Sequence, residues 1–143
     1  MRALLLAAFS LVCFTSFSQY YYKDIIGTQE SSGTIKNYLK NKVSRVIVNS
    51  YDADNVRSDN FSIEQQFSAS GKVLKTITIS SGGQSTLFTF FDENGNVIRT
   101  LDSNNIVVSN TIYTFNAGGK LSNITHTSSD SSGFLNKNEV HIW

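Results

Sequence analysis

The stretch Phe91-Asp92-Glu93-Asn94-Gly95-Asn96-Val97 decides the fold, because the chain carries it in three related copies. The first copy, FSASGKV, occupies residues 67–73, and the third, FNAGGKL, occupies residues 115–121. Neighbouring copies are 24 residues apart. Each copy has an aromatic residue, a glycine four positions later and an aliphatic residue two positions after that. This spacing predicts an internal structural repeat.

The middle of each copy has the composition of a tight turn. Asp92 and Asn116 can accept hydrogen bonds from backbone N–H groups two residues further on. Gly71, Gly95 and Gly119 can adopt the positive φ that closes a type I turn into a bulged hairpin. Each copy is therefore predicted to be the corner of a β-hairpin.

A further corner is predicted at residues 51–55, where Asn55 replaces the glycine and tolerates a left-handed backbone. The runs between corners are rich in β-branched and aromatic residues and alternate between apolar and polar. They predict a mostly β fold, an antiparallel meander of about eight strands built on repeated hairpins, over residues 43–143. Residues 86–90 resemble residues 111–115 better with one extra residue in the spacing, which a β-bulge would absorb.

Residues 1–18 have the composition of a secretory signal peptide. Arg2 supplies the positive start, a short apolar segment follows, and small residues precede a predicted cleavage point before Gln19. An uncleaved anchor or a core segment is the alternative. Cys13, the only cysteine, follows Leu and Val rather than a small residue, so it is a poor match to a lipoprotein signal. Cleavage would leave a mature chain without a disulfide or a thiol nucleophile.

Composition excludes two broad classes of function. The formal net charge is +1 and the chain has no basic block, so no nucleic-acid partner is expected. After the signal peptide no long apolar run remains, so no integral membrane span is expected in the mature chain.

Residues 19–42 are predicted to form an N-terminal segment that contains one short helix. The tyrosine cluster at residues 20–22 is interpreted as packing onto the core, with stacking on a sugar or a base as the alternative. Ser31, Ser32 or Thr34 can cap a helix over residues 34–41. So short a helix must be held by packing rather than by propensity.

The corners resemble the tyrosine–aspartate (YD, or RHS-type) repeats of bacterial secreted and surface proteins, and the likeness covers residues 43–127. The chain departs from that pattern by using Phe for Tyr, by having Ser68 and Asn116 where the family has Asp, and by having few copies. Large family members build a β-shell around a cargo, for which this chain has too few repeats. The whole chain also resembles uncharacterised secreted proteins of Bacteroidota-type bacteria. The resemblance implies an exported repeat protein and carries over no catalytic residue.

Candidate chemistry is sparse, and no catalytic, metal or cofactor site is predicted. Two histidines could share a metal, but such a site needs three or four ligands, so they are interpreted as strand residues on the surface. A group of acidic turn residues could bind Ca²⁺ but lacks the EF-hand order. Three other acidic residues could act as general acid and base, but they occupy turns. These groups are His126 and His141; Asp52, Asp54 and Asp59; and Asp92, Glu93 and Asp102.

Aromatic residues at alternating positions form a candidate binding face: Phe88, Phe90, Tyr113 and Phe115. They could recognise a glycan or a peptide, or they could belong to the core on one face of the sheet. The sequence as a whole favours an exported, non-enzymatic β-repeat protein with a structural or binding role. Its location would be the periplasm, the cell surface or the medium, and its partner an unknown protein, a glycan or a cell-envelope component.

The alternative function is a periplasmic carrier of a lipid or another apolar ligand. In that case the helix would plug a curved sheet, and the phenylalanine side chains would line a cavity. Residues 139–143 resemble the start of a further strand, so the chain could be the N-terminal part of a longer array.

Overall fold

The computed structural model describes residues 18–104, 106–130, 132 and 136–142, which form one helix and one eight-stranded antiparallel sheet. The strands follow one another in the sheet in chain order, so the sheet is a meander. This confirms the predicted fold class. The elements are α1 (Ser18–Lys40), β1 (Arg45–Tyr51), β2 (Arg57–Phe67), β3 (Val73–Ser80), β4 (Gly83–Phe91), β5 (Val97–Ser103), β6 (Val107–Phe115), β7 (Leu121–Asp130) and β8 (Asn136–Ile142).

Several predictions near the termini fall outside the described residues. They are the signal peptide up to residue 17, including Cys13, and the final position, Trp143. The side chains of the tyrosine cluster at residues 20–22 are likewise not described. Signal cleavage and the packing of these tyrosines therefore stay predictions.

Helix α1 is longer than the sequence predicts, because it begins at Ser18 rather than at Thr34. Gly27 and Gly33 each disfavour a helix by about 1 kcal/mol relative to alanine, and nearby serines resemble N-terminal caps. The cap interpretation was wrong for Ser32, whose hydroxyl accepts a hydrogen bond from the backbone N–H of Val97 at 3.4 Å. Packing against the sheet thus outweighs the weak local propensity.

The three repeated corners lie at the same end of the sheet, because two strands separate each corner from the next. Gly71, Gly95 and Gly119 have φ values of 68°, 75° and 73°. Asn55 adopts the same left-handed backbone, with φ of 60°, but its corner joins β1 to β2 at the opposite end. We call the end with the three glycine corners the corner row.

The β4–β5 and β6–β7 hairpins keep the 24-residue spacing of the sequence repeat. A bulge lies between Phe90 and Phe91 in the β4–β5 pair, and another lies between Thr114 and Phe115 in the β6–β7 pair. Both copies contain the irregularity at the same repeat position, so the spacing needs no extra residue. Phe91 is consequently the structural counterpart of Phe115, and Phe90 is the counterpart of Thr114.

Helix α1 crosses one face of the sheet along the corner row. Leu39 reaches the β2–β3 corner, where its Cδ2 lies 3.2 Å from the Cβ position of Gly71. Ser32 binds the start of β5. Corners two strands apart are separated by about 9.6 Å, which a helix covers in roughly six to seven residues. Ser32 and Leu39 are seven positions apart, so their spacing along the helix matches the repeat of the sheet.

The sheet has two unlike faces, which we name the helix face and the open face. Residues paired across strands share a face, so Leu74, Thr89, Thr100 and Thr111 all lie on the helix face. A small core forms there between Ile35 of α1 and the sheet residues Leu74, Phe91 and Val97. Within the described residues, no element packs on the open face.

Candidate binding cleft and open face

The best-defined polar geometry on the corner row is at Asp92. Its Oδ1 accepts hydrogen bonds from the backbone N–H groups of Asn94 and Asn96 at 2.9 and 2.8 Å. Desolvation would raise the pKa of Asp92. Hydrogen bonds from Asn96 and Asn94, together with the nearby charge of Lys36, outweigh it and hold the pKa below its ordinary value. The carboxylate is thus a structural group of the turn.

Asn116 repeats the same arrangement without a charge. Its Oδ1 accepts from the backbone N–H groups of Gly118 and Lys120, both at 3.0 Å. Ser68 in the first copy has a shorter side chain, and its Oγ accepts from the N–H of Val73 at 3.2 Å. All three copies therefore brace the corner with a side-chain oxygen.

A cleft of about 850 Å³ lies between α1 and the helix face of the sheet. Ligand sites commonly have volumes of about 300–1,000 Å³. The cleft combines hydroxyl, imidazole, carboxylate and apolar groups. Its lining residues are Gly27, Thr28, Glu30, Ser31, Thr34, Ile35, Tyr38, Gln65, Leu74, Thr76, Leu87, Thr89, Val97, Thr100, Thr111, Tyr113, Ile124, His126, Glu139 and His141.

One row of paired residues runs across the floor of this cleft over five adjacent strands. Thr89 pairs with Thr100, and Thr100 pairs with Thr111. Thr111 pairs with His126, which in turn pairs with Glu139. We call this line the hydroxyl row. It places three threonine hydroxyls, an imidazole and a carboxylate side by side on the helix face.

His126 is held by hydroxyl groups on both ring nitrogens. Nδ1 lies 2.9 Å from Thr111 Oγ1, and Nε2 lies 2.8 Å from Ser128 Oγ. A neutral imidazole donates through one nitrogen and accepts at the other, so one hydroxyl accepts from the ring while the other donates to it. Ser128 Oγ also lies 3.0 Å from Ser109 Oγ. The contacts fix the orientation of the ring within the hydroxyl row.

The Ser128–His126 distance alone resembles a nucleophile with its base. A hydroxyl, from Thr111, rather than a carboxylate occupies the other ring nitrogen. The strand backbone around Ser128 is paired with β6 and β8, so its N–H groups do not form an oxyanion hole of the kind acyl transfer requires. Among the described residues, these contacts orient the side chain of His126.

Glu139 occupies the last position of the hydroxyl row, opposite His126. A hydrogen bond from Lys137 lowers the pKa of Glu139 by more than desolvation raises it, and the positive charge of Lys137 lowers the pKa further. Lys137 Nζ lies 2.6 Å from Glu139 Oε1. Much of the negative charge at this end of the cleft is therefore already balanced.

The four aromatic residues of the candidate binding face do not form one surface. Phe90 pairs with Arg99 and Phe88 with Lys75, and these cations lie over the two rings, 5.4 and 5.9 Å from the centroids. Both rings are on the open face. Tyr113 instead packs against the core on the helix face. Phe115 lines a smaller cavity of about 410 Å³ between α1 and the β6–β7 corner.

The open face also carries apolar side chains that nothing in the described part of the chain covers. Ile112 is 44% exposed and Val140 is 52% exposed, and both lie in the same row of cross-strand pairs as Phe90 and Arg99. Further exposed apolar residues on this face are Ile47, Ile79, Val108 and Ile142.

The acidic residues singled out by sequence do not converge. Asp102 lies near the far end of β5, about 16 Å along the strand from the corner that holds Asp92 and Glu93. Asp52 and Asp54 lie in the corner at the opposite end of the sheet. No cluster of three or more potential metal ligands occurs among the described residues. His126 and His141 do both line the cleft.

Sequence reasoning missed the hydroxyl row. A signal was present, because Thr89, Thr100 and Thr111 recur at intervals of 11 residues. That interval is close to half of the 24-residue repeat, and that half contains one strand and one turn, so residues at this spacing can pair across neighbouring strands. The strand pairings had to be known before the spacing could be interpreted.

No protein-family model, curated protein or solved structure matches the chain. Within the part of the chain that the structure describes, no helix combines the length and the apolar character needed to cross a membrane.

Proposed function

We propose that the chain is an exported, non-enzymatic β-repeat protein whose sheet serves in binding, and that the open face meets a protein or glycan of the cell envelope. The observation that carries the proposal is the composition of that face. Phe88 and Phe90 lie beneath Lys75 and Arg99, and exposed Ile112 continues the same surface. Aromatic residues, arginine and exposed apolar residues together are typical of interaction surfaces.

The resemblance to tyrosine–aspartate repeats and the predicted signal peptide support export. The predicted partner is therefore a component located outside the cytoplasm.

Binding to the cell envelope tests the open face. Purified protein mixed with isolated envelopes of the producing cells should sediment with them. Ile112→Thr and Val140→Thr should weaken this retention by about tenfold in combination, because they remove apolar contact area from a partly exposed face. Val56→Thr is the matched control. Val56 lies in the β1–β2 corner and is 60% exposed, so this variant should bind as the wild type does.

Equal retention of all three proteins, or a wild type that stays in the supernatant, would contradict the proposal. Covalent labelling of Ser128 by a fluorophosphonate, abolished by Ser128→Ala, would overturn the non-enzymatic assignment. Recovery of the protein from the cytoplasm with residues 1–18 intact would overturn export.

The lipid carrier is the second candidate, and the cleft between helix and sheet favours it in one respect, because it lies where a ligand cavity was expected. The lining is otherwise unlike the expectation. The lining residues of the cleft include no phenylalanine among the described residues, and threonine hydroxyls and charged groups form much of its floor. These polar groups would lose their hydrogen bonds to water, and an alkyl chain would offer no hydrogen bonds in their place.

A further inference from the structure

We propose that the cleft between α1 and the sheet binds a neutral saccharide, at a site separate from the open face. The size of the cleft, about 850 Å³, suits a ligand of one to a few sugar rings. Its walls are two elements of regular structure, the helix on one side and the strand floor on the other. The ligand class follows from the chemistry of that floor.

The hydroxyl row supplies hydrogen-bonding groups at regular intervals. Directly opposed residues on neighbouring strands are about 4.5–5.5 Å apart, so Thr89, Thr100 and Thr111 form a line about 10 Å long. The hydroxyls of Thr89 and Thr100 make no hydrogen bond with another described residue. A threonine hydroxyl both donates and accepts, and so does each hydroxyl of a sugar. The row is therefore complementary to a polyhydroxylated ring.

An apolar strip lies beside the hydroxyl row on the side of the corner row. Tyr113 lies two positions from Thr111 toward the β6–β7 corner, and Tyr38 and Ile35 of α1 also line the cleft. Leu74 pairs with Thr89 and extends the row with an apolar side chain. Sugars present apolar C–H faces as well as hydroxyl edges, and an aromatic side chain offers a large flat surface to such a face. A ligand with one apolar face and a polar rim fits this pairing better than a uniformly apolar chain does.

The charge of the cleft favours a neutral ligand. Glu30 and Glu139 are the acidic lining residues, and Glu139 is already paired with Lys137 at 2.6 Å. An anion would meet these carboxylates without a matching cluster of cations. A cation would find one exposed carboxylate, Glu30, rather than a site that surrounds it.

The site can be located by NMR with threonine methyl labels. The full mature chain is first screened against an array of neutral mono- and oligosaccharides, and the best soluble binder is titrated at up to millimolar concentration. We expect shifts at the methyl groups of Thr89, Thr100 and Thr111. Thr78, which lies on the helix face but does not line the cleft, should not shift.

Thr100→Val and Thr89→Val should each weaken saccharide binding by about threefold to tenfold, because each removes one hydrogen-bonding group while keeping the β-branched shape. Thr78→Val is the matched control and should change the affinity less than about twofold, because Thr78 lies neither in the cleft nor on the open face. Since the Thr89 and Thr100 hydroxyls bind no other described residue, both variants should unfold at wild-type denaturant concentrations, which shows that the fold is intact.

Three results would overturn the inference. The first is no saccharide binding at millimolar concentration. The second is an affinity that the two cleft variants leave unchanged relative to Thr78→Val. The third is displacement of the Thr89 and Thr100 methyl signals by a fatty acid but not by any sugar, which would favour the apolar carrier. None of these results depends on whether the open face binds the envelope.

Discussion

The β4–β5 corner and the β6–β7 corner are equivalent in sequence and backbone, yet helix α1 packs closely against only the first of them. Gly95 and Gly119 have φ values of 75° and 73°. Lys36 of α1 lies directly against the first corner, where its Nζ donates to Asn96 Oδ1 at 3.1 Å. A cavity of about 410 Å³ separates α1 from the second corner. The repeat therefore encodes the hairpin, and the path of the helix decides how deeply each copy is buried.

The aromatic residues of the two corners should give the largest difference in stability. Phe91 is 4% exposed within the core, whereas Phe115 is half-buried beside the smaller cavity. Phe91→Ala should lower the free energy of unfolding by about 3–5 kcal/mol, as for other buried aromatic residues. Phe115→Ala should cost about half as much, because less of its surface is removed from water.

Urea denaturation of both variants measures this difference directly, provided that their m values agree. Equal losses in the two variants would mean that α1 covers both corners alike, and would contradict the comparison.

Asp92 and Asn116 differ by a charge, and the effect should be smaller. Because folding lowers the pKa of Asp92, its ionised carboxylate stabilises the fold above the unfolded pKa of about 3.9. That contribution is lost as the pH falls through the folded pKa. Asp92→Asn keeps an oxygen that accepts from Asn94 and Asn96. It should lower stability at pH 7 by up to about 1 kcal/mol, with the difference vanishing at acidic pH.

Glu93→Gln is the control for this prediction, because the Glu93 side chain is 89% exposed and its only described ion pair, with Lys72, is long. Its stability should follow the wild type across the pH range. A constant difference between Asp92→Asn and the wild type from pH 7 to below the folded pKa would show that the charge is not the cause.

Much of the sheet could be predicted because the information is local. Alternating residues define strands, and the glycine four positions after each aromatic residue defines the turns. Asn55 was predicted to take a left-handed backbone, and it does so at φ of 60°. Local patterns do not show at which end of the sheet a corner lies, because this depends on the number of strands between corners.

The faces of the sheet could not be read from the same patterns. An alignment of residues 86–90 with residues 111–115 shifts the copies by one residue, and such a slip moves every side chain to the other face. The paired bulges before Phe91 and Phe115 keep the 24-residue register instead. Phe88 and Phe90 therefore lie opposite the face that holds Tyr113 and Phe115.

The helix and the cleft depend on contacts that are distant in sequence. Ser32 and Val97 meet across 65 positions, and nothing near Ser32 signals this contact. The cleft likewise needs five strands to be in register before its hydroxyl row exists. Helix propensity therefore underestimated the length of α1, and the sequence motifs gave no indication of the cleft.

Alanine substitution of Gly95 and Gly119 tests most directly whether helix α1 causes the difference in burial between the two equivalent corners. Both variants introduce strain of about 1–2 kcal/mol, because both glycines have left-handed backbones. At Gly95 the new Cβ would also lie 3.0 Å from Lys36 Cγ, whereas at Gly119 no atom lies within 4 Å. The account predicts a larger loss of unfolding free energy for Gly95→Ala, and equal losses when both are made in a Lys36→Ala background. Equal losses in the wild-type background, or a difference that survives Lys36→Ala, would contradict it.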